Sequence, residues 1–203
     1  MQGIKNIVFD FGGVLTGLDK DACIDALYDI GAGNIASYVD ECRQEDLFHD
    51  LEVGRINVGE FCNEVRRLCP GCTATDNDIC DAWNALITGI PHRRLAKLLS
   101  LKNDYRLMLL SNTNPIHWHK AVRDFFPFEG HEVDDYFEKT FLSYRMGMVK
   151  PDEQIFRQML ADAQILPGET LFIDDSPVNC AAASQLGIMT MCDETGGEWL
   201  EKL

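Results

Sequence analysis

The sequence predicts an α/β fold: a doubly wound, mostly parallel sheet with an inserted helical segment. Short apolar runs typical of buried strands alternate with helix signals along most of the chain, as in sheets that carry helices on both faces. One stretch near the amino terminus departs from this alternation, because its apolar residues recur at helical spacing. The chain has 203 residues, of which 46% are apolar and 25% charged. It can therefore fold around a core of its own.

Five apolar runs predict the strands. The first covers residues 4–9 and ends at Asp10, and its continuous apolar character indicates a strand that is buried on both faces. Similar runs cover residues 106–110, 170–173 and 188–191, and a weaker one covers 140–143. Because helix signals separate these runs, we expect the strands to pair in parallel.

Capping residues followed by proline predict where helices begin. Asn114-Pro115 and Ser176-Pro177 each place a capping side chain before a proline at the first helical position. A third helix is expected to open just after residue 151, with acidic residues in its first turn. Gly187 suits the end of the helix that begins at Pro177.

Residues 19–89, called the insertion below, contain no strand signal. Cys23 and Leu27 illustrate the helical spacing of its apolar residues, and a turn at residues 52–55 interrupts the pattern. We expect about four helices that sit on the sheet as a cap. The catalytic core would then comprise residues 1–18 and 90–203.

The acidic composition argues against nucleic acid as a partner. The formal net charge is −15, whereas phosphate backbones are bound by clustered Lys and Arg. No apolar run is long enough to span a membrane, and the amino terminus lacks the features of a signal peptide. We expect a cytoplasmic protein, a monomer or weak homodimer, that binds a small molecule.

The cysteines are expected to be reduced thiols, because the chain shows no secretory signal. The eight are Cys23, Cys42, Cys62, Cys69, Cys72, Cys80, Cys180 and Cys192. Cys69 and Cys72 have CxxC spacing, but no second CxxC and no histidine at zinc-finger spacing accompanies them. A turn flanked by small buried thiols is the favoured interpretation, and a redox role stays open.

Polar residues directly follow the strongest predicted strands, which is where an open parallel sheet binds its ligands. Asp10 follows the first strand, Ser111 and Asn112 follow the second, and the pair Asp174-Asp175 follows another. Acid oxygens at this edge can hold a hard cation such as Mg²⁺. A carboxylate beside such a cation can attack phosphorus.

A lysine completes this set. Lys150 stands in a loop just before a predicted helix, and with the Ser111 hydroxyl it can neutralise phosphoryl oxygens as charge spreads over them. Each signal alone is weak, since single strand-end acids and lysines are common. Their occurrence together and in this order favours a functional site.

Four segments resemble the motifs of the haloacid dehalogenase-like superfamily. They are VFDFGGVL at 8–15, LLSNTN at 109–114, MVKPD at 148–152 and FIDDSPVN at 172–179. The resemblance covers essentially the whole chain, and the insertion is similar to the family's smaller helical cap. Within the family the motifs most resemble bacterial α-glucose-1-phosphate phosphatases. The resemblance implies Mg²⁺-dependent hydrolysis of a small phosphorylated metabolite, such as glucose 1-phosphate, through an aspartyl-phosphate.

The resemblance also implies residue roles at the metal. Asp10 would be the nucleophile, and Mg²⁺ would be held by Asp10, the carbonyl oxygen of Gly12, and Asp175. Asp174 and Asn179 would support these ligands without touching the ion. Phosphate binding falls to three other positions: Ser111, Asn112 and Lys150, of which Lys150 also shares in catalysis with the nucleophile.

The glycine at position 12 departs from the family pattern. Most phosphatases of the family carry an acid there, which first donates and then accepts a proton. Without it, leaving groups of high pKa should be poor substrates, which favours sugar 1-phosphates and acyl phosphates. Asp19 is one candidate for the missing base, although its position equally suits a helix cap. Arg55, in the turn at 52–55, is a candidate substrate contact, although a surface arginine is the commoner outcome.

Three alternatives stay open at this point. A 2-haloacid dehalogenase needs no metal, so the paired acids Asp174 and Asp175 argue against it. A family member that has lost turnover could sense a phosphometabolite or bind a partner, and Gly12 is the support for this. A phosphomutase is disfavoured, since it needs proton transfer at the position that Gly12 occupies.

Overall fold

The sheet has the predicted parallel topology. The computed structural model describes residues 3–41 and 47–203, and five strands form one sheet in the order β3-β2-β1-β4-β5 with every neighbouring pair parallel. The strands are β1 (Asn6–Phe9), β2 (Arg106–Ser111), β3 (Lys139–Leu142), β4 (Thr170–Asp174) and β5 (Met189–Cys192). All five predicted runs are therefore strands, with ends that shift by one or two residues.

The register of the central strands aligns their carboxyl ends. Phe9 of β1 lies opposite Leu109 of β2 and Ile173 of β4. The three strands stop within two residues of this level, so the residues that follow them meet at one edge of the sheet. This alignment is what brings the sequence-predicted site residues together.

The insertion contains six helices in the part of it that the structure describes, against about four expected. They are α1 (Lys20–Asp29), α2 (Gly33–Ala36), α3 (Tyr38–Glu41), α4 (Leu47–Glu52), α5 (Val58–Leu68) and α6 (Asp76–Asn84). The two additional helices, α2 and α3, are single turns, which are too short to show a helical period in the sequence. Capping boxes begin α5 at Asn57 and α6 at Thr75. Cys42 lies outside the described residues.

The remaining helices pack on the sheet. They are α7 (His92–Leu101), α8 (Pro115–Lys120), α9 (Val133–Tyr136), α10 (Ser143–Met146), α11 (Glu153–Ala163), α12 (Pro177–Gln185) and α13 (Trp199–Lys202). The predicted caps are confirmed: the Asn114 side chain accepts from the His117 amide, and the Ser176 side chain accepts from the Asn179 amide. No described helix has the length and apolar character needed to cross a membrane.

Three apolar clusters form the interior. One face of the sheet buries Ile7, Phe9 and their neighbours, and the other buries Val8 with Phe172, as expected for strands covered on both sides. The third cluster belongs to the insertion and contains Leu27 and Phe61. Ile116 of α8 joins this third cluster, so the insertion is anchored on the core beside the second strand.

Candidate active site

The site lies at the carboxyl edge of the sheet, where Asp10 and Asp174 are joined by the side chain of Lys150. The ammonium nitrogen of Lys150 lies 2.8 Å from Asp10 Oδ1 and 2.6 Å from Asp174 Oδ2. Lys150 and Asp10 are buried, and Asp174 is wholly so. A buried lysine between two buried carboxylates is a costly arrangement, and such arrangements are typical of functional sites.

Asn112 holds this lysine in place. Its side-chain oxygen accepts from the Lys150 backbone amide at 2.8 Å, and its Nδ2 donates to the Lys150 carbonyl at 2.9 Å. Both polar ends of one amide are thereby used on the backbone of one residue. The Ser111 hydroxyl is buried at the end of β2 and donates to the Asn112 carbonyl at 3.3 Å.

Burial sets the protonation behaviour of the pair. It raises the pKa of Asp10 to about 7, an effect that Asp174 reinforces and Lys150 opposes. Burial on its own would lower the pKa of Lys150, but the carboxylates of Asp10 and Asp174 outweigh it, and the net direction is upward. The lysine therefore stays charged, and a bound cation would favour the ionised form of Asp10.

Three carboxylates can share one metal ion. Asp10, Asp174 and Asp175 each offer an oxygen, and these oxygens lie within 4.8 Å of one another. An all-oxygen set of acids suits a hard divalent cation. Asp174 is already engaged by Lys150, by the Ser176 amide at 2.8 Å and by Asn179 Nδ2 at 3.0 Å.

Two adjacent glycines differ in what they permit. Gly13 has φ +74°, and a Cβ there would lie 2.2 Å from Asp175 Oδ2, so the Asp175 carboxylate rests directly over its Cα. Gly12 has no such restriction, because a Cβ there would only reach the Leu18 side chain at 3.6 Å. Packing therefore does not exclude a Cβ at position 12.

A cavity of about 420 Å³ opens above Asp10 and Asp175. Its floor includes Asp10, Gly12, Asn112, Lys150 and Asp175. Its walls come mainly from the insertion, which contributes Lys20, Tyr38, Val39, Phe48, His49, Glu52, Trp83, Leu86 and Ile87, and Leu18 lines the cavity just before the insertion begins. The site is thus a half-open pocket of mostly apolar surface with a charged floor.

Asp19 and Arg55 are not brought to this cavity. Asp19 is exposed and caps α1, accepting from the Ala22 amide at 2.9 Å. Arg55 is exposed and pairs with Asp50 at 2.9 Å. Neither lines the cavity, so the structure supports the other interpretation given for each, a helix cap for Asp19 and a surface arginine for Arg55.

The insertion reaches the site through α4 instead. His49 and Glu52 lie three residues apart on this helix, and both line the cavity. The Glu52 carbonyl lies 2.8 Å from Ser143 Oγ of α10, and Gly54 packs on the Tyr144 backbone with φ +69°. The turn at 52–55 therefore rests on the core through Gly54 and reaches the cavity through its first residue, Glu52, rather than through Arg55.

His117 connects the insertion to the core. Its Nε2 donates to the Trp83 carbonyl at 3.0 Å, its Nδ1 accepts from Asn114 Nδ2 at 3.1 Å, and its ring stacks on Trp83. These partners fix the neutral form with the proton on Nε2. His117 is buried beside the second motif, and it also lines the cavity.

Comparison with known proteins agrees with this geometry. A D-ribitol-5-phosphate phosphatase of Bacteroides thetaiotaomicron is 36% identical over 200 residues, which cover 98% of this chain and 97% of the relative. A solved structure of a haloacid dehalogenase-like enzyme from the same organism, in complex with magnesium and inorganic phosphate, is 42% identical with a TM-score of 0.94, and the match covers 99% of this chain and all of that one.

More distant structures share the fold. An L-2-haloacid dehalogenase of Xanthobacter autotrophicus is 19% identical, with a TM-score of 0.60 over 95% of this chain and 80% of that one. The family model for haloacid dehalogenase-like hydrolases matches residues 4–187, a span that includes all four motifs and the insertion. The chain belongs to the haloacid dehalogenase-like hydrolase family.

Proposed function

We propose that this protein is a Mg²⁺-dependent phosphohydrolase that acts on a small sugar or sugar-alcohol phosphate through an aspartyl-phosphate. The observation that carries the proposal is the contact of Lys150, on the floor of the cavity, with both Asp10 and the buried Asp174. Similarity over nearly the full length to a phosphatase, and to an enzyme bound to magnesium and phosphate, supports it.

The first step is attack by an Asp10 carboxylate oxygen on phosphorus. The bond to the leaving oxygen breaks, and that oxygen takes up a proton. The ammonium nitrogen of Lys150 lies 2.8 Å from Asp10 Oδ1. It neutralises the negative charge on the phosphoryl oxygens while the phosphoryl group is transferred to Asp10. Asn112 keeps the lysine in position through its two backbone hydrogen bonds. Water then attacks the aspartyl-phosphate, which releases inorganic phosphate and regenerates Asp10.

The metal would be held by Asp10, Asp175 and the carbonyl of Gly12. Magnesium supplies positive charge next to the phosphoryl group and favours ionised Asp10. The burial that raises the pKa of Asp10 to about 7 makes this second effect important near neutral pH. Asp174 is occupied by Lys150 and Asn179, which supports a role in positioning rather than in direct ligation.

Two observations point to different substrates within this class. Gly12 offers no proton, which favours a good leaving group such as the anomeric oxygen of glucose 1-phosphate. The relative named for D-ribitol 5-phosphate favours a sugar-alcohol phosphate. For either substrate, the side chains of His49 and Glu52 provide polar groups that can bind the substrate's hydroxyls. Trp83 and Phe48 provide apolar surface in the cavity walls.

The test is inorganic phosphate release across a panel that includes ribitol 5-phosphate, glucose 1-phosphate, glucose 6-phosphate and acetyl phosphate. We expect release that requires Mg²⁺, stops with EDTA and vanishes in Asp10→Asn. The matched control is Asp19→Asn, because asparagine caps a helix as well as aspartate does, and this variant should keep full turnover.

The outcomes separate the possibilities. If phosphate is released from glucose 1-phosphate but not from ribitol 5-phosphate, the missing proton donor at Gly12 sets the substrate selectivity. The opposite result would mean that the residues of the cavity walls set it. Loss of turnover in Asp19→Asn would make Asp19 the base. Folded protein that releases phosphate from none of these compounds would overturn the proposal and favour a phosphometabolite sensor.

A further inference from the structure

The loop after β1, residues 11–16, is held by a buried arginine of α7. Arg94 is 8% exposed. Its Nη1 donates to the Leu15 carbonyl at 2.8 Å, and its Nη2 donates to the Gly196 carbonyl. Its Nε has no hydrogen-bond partner among the residues that the structure describes. Arginine is rarely buried unless it is paired, so a guanidinium used on two backbone carbonyls indicates that the two loops must be held in place.

The second loop that Arg94 contacts, residues 193–199, follows β5 and is ordered by Asp193. The Asp193 carboxylate is wholly buried and accepts from three successive backbone amides, those of residues 197–199, at 3.1 to 3.3 Å. Burial on its own would raise the pKa of Asp193, but these amides outweigh it and the net direction is downward. The Asp193 amide donates to the Asp174 carbonyl at 2.9 Å. The second loop is therefore fixed to the strand that ends in the paired acids.

The two loops meet at three successive carbonyls of the first loop. Gly196 lies so close to the Gly13 carbonyl oxygen that a Cβ at position 196 would be 2.4 Å from it. The Nε1 of Trp199 donates to the Val14 carbonyl at 3.3 Å. Arg94 donates to the carbonyl that follows. Side chains and backbone from outside the first loop therefore fix its path over these positions.

Trp199 also contacts the strand that leads into this loop. Its ring and the ring of Phe9 are both fully buried, with centroids 5.0 Å apart at an interplanar angle of 67°. Phe9 directly precedes Asp10. An edge-to-face contact of two buried rings has a defined geometry, so Trp199 holds the end of β1 as well as the loop.

The first loop carries groups of the proposed metal site. One proposed ligand is the Gly12 carbonyl, and the Asp175 carboxylate rests over the Cα of Gly13. A carbonyl ligand has no side-chain torsion to adjust, so its position follows the path of the backbone. Mg²⁺ demands near-ideal octahedral geometry, and groups that orient its ligands therefore affect its affinity.

We propose that Arg94 and Trp199 are positioning residues for the metal site. Through the carbonyls of residues 13–15 they hold the backbone that presents the Gly12 carbonyl and supports Asp175. Neither side chain touches the ion or the substrate. The inference rests on the proposed function, because it takes the metal ligands of that function as its starting point.

The experiment measures binding of Mg²⁺ alone to the full chain by isothermal titration calorimetry. Arg94→Met fills a similar volume without a donor, and we expect its affinity for Mg²⁺ to fall about tenfold. Arg94→Lys keeps one donor and should recover part of this loss. Trp199→Phe keeps an aromatic ring against Phe9 but loses the Nε1 donor, so its affinity should fall by a smaller factor than in Arg94→Met.

Leu101→Ala is the control for lost stability. Leu101 is buried near the end of α7 in the same apolar cluster as Trp199 and has no side-chain donor. We expect its melting temperature to fall, because truncation leaves a cavity, while its Mg²⁺ affinity stays within about twofold of the parent.

Kinetics provide a second readout. The Mg²⁺ concentration that gives half-maximal phosphate release should rise in Arg94→Met about as much as the affinity falls. The kcat at saturating Mg²⁺ should stay within about twofold, because the variant changes metal binding and leaves Asp10 and Lys150 in place. A general loss of structure would lower kcat as well.

The outcomes distinguish this inference from the proposed function. Equal Mg²⁺ affinity in the parent and in folded Arg94→Met would overturn the inference, whether or not phosphate is released. Equal loss of affinity in Leu101→Ala would do the same. If Arg94→Met does not fold, unchanged affinity in both Arg94→Lys and Trp199→Phe decides against it. A parent that shows Arg94-dependent Mg²⁺ binding but releases no phosphate supports the inference and contradicts the proposed function, and a parent that binds no Mg²⁺ contradicts both.

Discussion

Position 13 shows how one missing methyl group shapes the acidic floor. The carboxylate of Asp175 occupies the space that a side chain at Gly13 would fill, and the backbone there is left-handed. The next position back, Gly12, has room for a Cβ. The two glycines therefore allow a matched comparison at the proposed metal site, because a Cβ would clash at Gly13 and would not clash at Gly12.

We expect Gly13→Ala to weaken Mg²⁺ binding at least tenfold, because the new Cβ would displace Asp175, a proposed metal ligand, and the residue is strained at positive φ. Gly12→Ala should bind Mg²⁺ within about twofold of the parent, because its Cβ meets only the flexible Leu18 side chain. The measurement is the Mg²⁺ dependence of phosphate release, with melting temperatures to confirm folding. Equal loss in both variants would argue against Asp175 as a ligand.

Sequence reasoning at the residue scale succeeded where a residue follows a strand. Asp10, Ser111 and Asp174 could be placed at one edge because strand ends in a parallel sheet share an edge. Arg55 could not be placed, because the direction of a surface side chain depends on its ion-pair partner, here Asp50. The turn at 52–55 does reach the cavity, but through Glu52 and not through Arg55.

At the scale of elements, the contact between α6 and α8 depends on a neutral histidine. His117 of α8 donates to the Trp83 carbonyl of α6 and accepts from Asn114. A proton added to Nδ1 would face the Asn114 amide group, which is itself a donor. Burial accordingly lowers the pKa of His117 from 6.5 to about 4.

This contact predicts a pH dependence of stability. The unfolded chain takes up a proton below pH 6.5, whereas the folded chain keeps His117 neutral down to about pH 4. The contribution of neutral His117 to the free energy of unfolding is complete above pH 6.5. This contribution falls by about 3 kcal/mol as the pH drops towards 4. His117→Gln, which keeps an N–H donor but does not titrate, should lose less stability over this range.

The measurement is the free energy of unfolding by urea at pH 7 and pH 5 for both proteins. Asp10 has the opposite sign, because its raised pKa stabilises the fold as the pH falls, but its contribution cancels in the comparison of the two proteins. Identical changes in the parent and in His117→Gln would mean that the histidine does not titrate as inferred.

The elements themselves were largely predictable. Residues that cap helices next to prolines fixed the starts of α8 and α12, and continuous apolar runs fixed the strands. The single-turn helices α2 and α3 could not be predicted, because four residues are too few to show a period of 3.6. Their conformation depends on packing against α1 rather than on local sequence.

For the whole molecule, the separation of the apolar clusters predicts uneven stability. Phe61 lies in the insertion's cluster, and Phe156 lies in a cluster beneath the sheet; both are fully buried. Truncating either creates a cavity that costs about 3–5 kcal/mol. Phe61→Ala should raise amide hydrogen exchange in α5 and α6 while β1 and β4 stay protected, and Phe156→Ala should expose the strands as well.

Hydrogen exchange followed by mass spectrometry at peptide resolution checks this pattern. Uniform loss of protection in Phe61→Ala would show that the insertion and the sheet unfold as one unit. The sequence predicted that the two parts are distinct in secondary structure. It did not predict that Ile116 of the core packs in the apolar cluster of the insertion. The sequence does not show which neighbouring element an isoleucine on a core helix contacts.

The split between floor and walls has a consequence for how such a protein can diversify. The floor residues Asp10, Asn112 and Lys150 come from the sheet's edge, whereas most of the wall comes from helices with an apolar interior of their own. Mutations inside the insertion can therefore remodel the wall without moving the hydrolytic groups. In proteins with this arrangement, substitutions in the insertion can change which metabolite is bound while the catalytic residues of the core stay the same.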